Sequence, residues 1–201
     1  MNLNLKMSVG HTLPTTLTAV MVFATIMATS LPSHAKKVAG VDIEDTLSVG
    51  STELVLNGAG LRKKLFIKLY VGGLYLGTAN NDAAAIIEAD APMMITLDML
   101  SDLVTQKKML KALNDGFSNA TDGKTEAIQA EIALMQEAMQ GKISKGDNFT
   151  YAYEPGVGTH VLHNDEETAV IEGLEFKKAL FGIWLSDKPA QKSLKKAMLG
   201  G

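Results

Sequence analysis

Arg62 is the residue from which a chemical role can be argued most directly. A guanidinium is permanently charged and presents a planar fork of N–H donors, so beside an apolar strand it can hold a carboxylate or an oxyanion through two hydrogen bonds. If Arg62 is buried, an anion should sit near it, because an unpaired buried charge is costly. The alternative reading makes Arg62-Lys63-Lys64 a solvated charge run at a hairpin end. Tyr70 and Tyr75, on the apolar stretch that follows, could donate hydroxyl hydrogen bonds to the same acid group. Strict alternation puts Arg62, Lys68 and Tyr70 on one strand face and Tyr75 on the other. A bulge at Gly72-Gly73 would return Tyr75 to the first face. On one straight strand Arg62 and Tyr70 would stand about 26 Å apart, so sharing an acid group requires a bend.

Other constellations carry less. His160 and His163 have an HxxH spacing, but on a strand these positions face opposite sides, whereas a metal needs convergent ligands. Asp165-Glu166-Glu167 reads as a solvated turn. No serine sits in a nucleophile elbow and there is no phosphate loop. The chain has no cysteine, which excludes disulfides and thiol chemistry. No cofactor is implied.

The elements that must position Arg62 centre on Leu54–Leu76 (LVLNGAGLRKKLFIKLYVGGLYL). A short run, Leu54–Leu56, meets Asn57-Gly58-Ala59-Gly60, which reads as a turn. The chain returns as Leu65–Leu76, apolar enough for a central strand buried on much of both faces. Gly72-Gly73 within it signals a bulge, a bend or a close approach by another segment. Val41–Ile43 reads as an edge strand. Asn80-Asn81-Asp82 offers caps for a helix over Ala79–Ala91, and Met93–Met99 follows as a strand with Met94, Thr96 and Asp98 on one face.

Two longer helices come next. Ser101 and Asp102 can cap one running to Ala120, and Lys124–Gln140 carries an Ile128, Ile132, Met135, Met139 stripe that reads as core. Asn148–Tyr153, Thr159–His163 and Thr168–Ile171 form an antiparallel meander. Leu174–Leu185 is helical, and Asp187 with Pro189 opens a final basic helix through Met198. Strands and helices in separate blocks indicate α+β rather than alternating βαβ units.

Residues 1–35 read as a cleaved signal peptide: Lys6 in a positive n-region, an apolar Leu17–Ala28, and Ser33-His34-Ala35 as the cleavage site. The apolar run is shorter than a membrane-spanning helix needs. No Cys follows it, so a lipoprotein is excluded. The expected product is a single domain over residues 36–201, exported to the periplasm, with no integral membrane span. The whole chain carries a net charge of −3, and losing Lys6 makes it more acidic. That balance points to neither nucleic acid nor an anionic membrane surface.

GAGLRKKLFIKLYVGGLYL resembles the central strand of the chalcone isomerase-like family, in its bacterial exported branch. ALFGIWLSDKP at Ala179–Pro189, followed by LKKAMLG, resembles that branch's closing helices. The resemblance covers roughly Gly50–Gly200. It implies an open-faced sandwich: a large antiparallel sheet with a layer of helices on one side.

The family divides by function. Its plant enzymes cyclise a chalcone with an oxyanion-holding Arg, a Thr on the long strand, a Tyr and an Asn on a helix, and a polar residue near the C-terminus. Its fatty-acid-binding relatives keep the Arg and a strand Tyr and hold a carboxylate. Carried over, the Thr position is Tyr70, the helix Tyr is Val104, the helix Asn is Lys111, and the polar position falls near Gln191. Aligned from LVLNG instead, the Arg position is Thr52 and Arg62 lies in an insertion. The resemblance therefore implies a non-catalytic protein binding a small apolar, fatty-acid-like ligand through Arg62, Tyr70 and Tyr75. The alternatives are an intramolecular lyase (isomerase) acting on an enone-like substrate, and an interaction protein with a closed cleft.

Overall fold

A long hairpin organises the sheet. In the computed structural model, which describes residues 36–201, strands β1 (Lys36–Val38) and β2 (Val41–Ile43) form a small hairpin of their own. The expected leader, residues 1–35, lies outside the described residues. β3 (Thr46–Val49) is the edge of a seven-stranded antiparallel sheet, so Val41–Ile43 is not. β4 (Thr52–Lys64) and β5 (Ile67–Leu76) follow, then α1 (Ala83–Glu88) and β6 (Met93–Met99). Helices α2 (Gln106–Ala120) and α3 (Gln129–Ala138) precede β7 (Asn148–Glu154), β8 (Gly158–His163) and β9 (Glu166–Ile171). Helices α4 (Leu174–Leu185) and α5 (Lys192–Met198) close the chain. The strands pair in sequence order from β3 to β9. This is the expected α+β architecture, an antiparallel sheet with helices on one side.

The β4–β5 hairpin differs from its sequence reading. Asn57–Gly60 is not a turn: β4 runs straight through it, and the chain reverses at Leu65-Phe66, between the paired residues Lys64 and Ile67. The glycines serve close packing instead. A Cβ at Gly58 would lie 2.2 Å from the Ala197 carbonyl oxygen, and one at Gly60 2.6 Å from the Ala197 Cβ. At Gly72 it would lie 2.7 Å from the Met198 Cε. Side chains are absent along this track because α5 lies directly on the sheet there. Gly72-Gly73 forms no bulge; both pair in register with Leu97 and Thr96 of β6. The register shifts fall at Asn57 in β4 and at Leu69 in β5.

Alternation then sorts the side chains into two cores. Tyr70, Leu74, Ile95, Leu97, Phe149 and Tyr151 face the helices and pack with Phe176, Leu180 and Trp184 of α4. Tyr75, Val71, Leu54 and Met94 face the other way and are covered by Ile43, Val49 and the N-terminal segments.

Cap chemistry sets the helix starts. Asp82 caps α1 by accepting from the Ala84 and Ala85 amides, as its position suggests. Thr105, not Ser101 or Asp102, caps α2; Asp102 accepts instead from the Lys145 amide, 2.9 Å away. The expected Lys124–Gln140 helix is shorter, a 3-10 turn at Glu126–Ile128 leading into α3.

Candidate functional site

β4 and β5 bring Arg62 and Tyr70 together. They are cross-strand partners on the helix-facing side, with the guanidinium carbon 6.0 Å from the Tyr70 ring centroid, the outer range of a cation–π contact. The 26 Å separation assumed both residues on one strand; the turn at Leu65-Phe66 puts them on two. Arg62 is half-buried. Its Nη1 donates to the Ala190 backbone carbonyl, and no carboxylate pairs with it among the described residues.

The link between α4 and α5 holds the same spot from above. Gln191 Nε2 donates to the Leu61 carbonyl at 3.2 Å, and Gln191 Oε1 accepts from the Lys63 amide at 3.0 Å. Ala190 and Gln191 thus form a latch over Arg62, fixed from below by β4.

Tyr70 forms the floor. Trp184 Nε1 donates to its hydroxyl at 3.0 Å, and the Trp184 ring stacks on Tyr151 with centroids 5.8 Å apart. Tyr70 thereby accepts a hydrogen bond, while its own proton has no acceptor among the described residues. Burial pushes its pKa up, with the Arg62 charge and the Trp184 hydrogen bond opposing. It stays a neutral donor. Chemically, the pair offers a fixed positive charge and an O–H group, both able to serve an incoming acid.

Tyr75 is elsewhere. With no bulge at Gly72-Gly73 it stays on the opposite face, where its hydroxyl donates to the Glu44 carbonyl at 3.0 Å. The structure therefore brings together two of the three candidate residues. Val104 is buried in the main core, and Lys111 is exposed and paired with Asp115 at 2.8 Å. His160 meets Glu167 and Glu154, while His163 stacks on Phe149 and meets Asp147. His160 and His163 thus have separate carboxylate partners, and no metal-ligating cluster is found among the described residues.

Two surface depressions, of about 320 and 200 Å³, lie away from Arg62, beside Asn57 and Gly200 and beside Tyr153 and Leu174. Sequence reasoning missed Trp184 and Ala190. Trp184 had a signal, since it is the chain's single tryptophan and a buried indole usually finds an acceptor. Ala190 had none, because it acts through its backbone.

No curated protein gives a match. Among solved structures, an Arabidopsis thaliana fatty-acid binding protein is similar with a TM-score of 0.62 and 16% identity, over 80% of this chain and 92% of that one. At that identity the likeness concerns the fold. A sequence profile described as chalcone isomerase-like matches residues 35–200, nearly the whole of the described sheet and its helices. This chain belongs to the chalcone isomerase-like family.

Proposed function

We propose that the protein is an exported, non-catalytic member of the family's bacterial branch that binds a small apolar ligand bearing an acid group, of the fatty-acid type. The observation that carries this reading is Arg62 itself. Its half-buried guanidinium is permanently charged, and its contacts are a neutral backbone carbonyl and a tyrosine ring, with no carboxylate among the described residues. A ligand carboxylate would replace the neutral Ala190 oxygen with a charged acceptor, a stronger hydrogen bond. Tyr70 would donate its free proton to the same group. The similarity of fold to a fatty-acid binding protein agrees with this.

The apolar part of the ligand requires the helix layer to yield, because Trp184 fills the space over Tyr70. Met99, Met139 and Met198 belong to that core, and methionine repacks more readily than branched side chains. A lyase is disfavoured on residue grounds. The positions of the catalytic Tyr and Asn hold Val104 and Lys111, one in the core and one paired on the surface.

Long-chain fatty acids and their methyl esters, titrated against the protein with melting temperature and direct binding as readouts, test the reading. The acid is expected to stabilise and the ester to bind at least tenfold more weakly. Equal binding of acid and ester would remove the ground for an acid site at Arg62.

A further inference from the structure

Beyond the last residue that pairs with β6, the β4–β5 hairpin continues alone. Tyr70 pairs with Met99, and the Leu100 amide reaches the Leu69 carbonyl; past this point β5 has β4 as its strand partner. Four residues further on, about 13 Å at strand spacing, stands the tip, Leu65-Phe66. Phe66 is 101% exposed, Leu65 83% and Ile67 40%. Around them Lys63, Lys64 and Lys68 are exposed and have no carboxylate partner among the described residues. No acidic residue occurs between Glu53 and Asp82.

Local chain chemistry does not call for such a tip. Leu65 has φ +54° at the first central position of a two-residue hairpin loop, where glycine is the favoured residue. A leucine there is strained, and a solvent-facing phenylalanine beside it contributes nothing to either core. Polar turn residues would serve the hairpin better.

We propose that this tip is a membrane anchor: Leu65 and Phe66 insert among the acyl chains of a bilayer, and the three lysines bind anionic headgroups around them. Three observations favour a bilayer over a protein partner. The tip is convex and narrow, whereas a stable protein contact buries roughly 800 Å² on each partner. An apolar centre collared by lysines has the pattern of an interfacial anchor. The protein as a whole is acidic, net −3, so an anionic surface attracts the tip and repels the remainder, which fixes the direction of approach. Net charge averaged over the chain hides this polarity. The proposal holds whether or not Arg62 takes an acid ligand.

The test uses the full chain with Phe66→Trp, which keeps an aromatic wedge and adds a local reporter. Phosphatidylglycerol–phosphatidylcholine vesicles should shift the added emission to the blue, and lipids brominated on the acyl chain should quench it. Phosphatidylcholine alone, or high salt, should reduce the effect strongly. With Phe66 kept, Lys63→Gln/Lys64→Gln/Lys68→Gln should lower vesicle affinity roughly 100-fold, and Leu65→Ser/Phe66→Ser at least tenfold. All proteins share one N-terminus, so binding through residues 1–35 would be common to them and would leave the emission of the introduced indole unchanged. Sedimentation with vesicles without that shift overturns the proposal. So does a blue shift that depends on protein concentration in the absence of lipid, which would make the tip a self-association surface.

Discussion

Arg62 and Tyr70 face each other across β4 and β5, and one guanidinium touches both the aromatic ring beneath it and the Ala190 carbonyl above it. A charge held between a ring and a neutral carbonyl can be recruited by an anion without first breaking an ion pair.

Replacing the charge should therefore change ligand binding more than fold stability. Arg62→Ala is expected to weaken an acidic ligand by about 10- to 100-fold, the contribution of a charge-assisted hydrogen bond. Arg62→Lys should restore only part of it, because an ammonium lacks the planar fork. Calorimetry with the acid and its methyl ester measures both. If Arg62→Ala changes neither ligand's affinity, Arg62 is only a structural tie to Ala190.

Catalysis is expected to be absent. If Tyr70, Val104 and Lys111 stand where the plant enzymes carry the catalytic Thr, Tyr and Asn, as the sequence resemblance implies, a standard chalcone should cyclise no faster with the protein than without it. Loss of one oxyanion donor alone commonly costs about 10²–10³ in rate. Stereoselective flavanone formation in an absorbance assay with chiral separation is the contrary result.

Lys177 supplies a pH signature. It is fully buried in α4, and its Nζ donates to the carbonyls of Ile86, Ile87 and Ala89 at the end of α1, at 3.1, 2.8 and 2.6 Å. Burial lowers its pKa from 10.5 to about 8. Between about pH 8 and 10 the unfolded chain then binds more protons at this site than the folded one, so this group makes stability rise with pH. Urea unfolding of wild type and Lys177→Met across that range should show the rise in wild type alone. Hydrogen exchange in α1 should quicken in the variant, whose three carbonyls lose their donor.

The glycine track gives a steric test. Gly58→Ala places a methyl against the backbone of α5 and is expected to cost about 1–3 kcal/mol. Gly77→Ala, where a Cβ meets nothing within 4 Å, should stay within about 0.5 kcal/mol. Chemical denaturation distinguishes them; equal midpoints would mean that α5 moves aside freely.

Export predicts a particular N-terminus. Protein recovered by osmotic shock should begin Lys36-Lys37-Val38. Finding Met1 on membrane-bound protein would contradict cleavage after Ala35.

Periodicity made most of the sheet and helices legible. The Met94, Thr96 and Asp98 face of β6 follows from strand alternation, and α4 has the limits read from the sequence, Leu174–Leu185. The hairpin did not, because Asn-Gly and Gly-x-Gly signal turns through backbone freedom, and the same missing side chains also admit a packed helix. Nothing local in GAG distinguishes the two; Ala197 does, and it is far away in sequence. That misplaced turn also put Arg62 and Tyr70 on one strand and stretched their separation. The Tyr75 assignment depended on a bulge at Gly72-Gly73, yet the register shift came at Leu69. The Ala190 latch is a backbone contact 128 residues away from Arg62, beyond the reach of pattern reading.

The bare glycine surface on β4 and β5 also constrains when the molecule can be finished. Its cover is the last helix of the chain, tied down by Asn57 donating to the Met198 carbonyl across 141 residues. Contacts this remote in sequence carry a large loop-closure cost and form slowly, so covering the glycine track of the central hairpin is expected to be a late step of folding, set by α5 rather than by the hairpin itself.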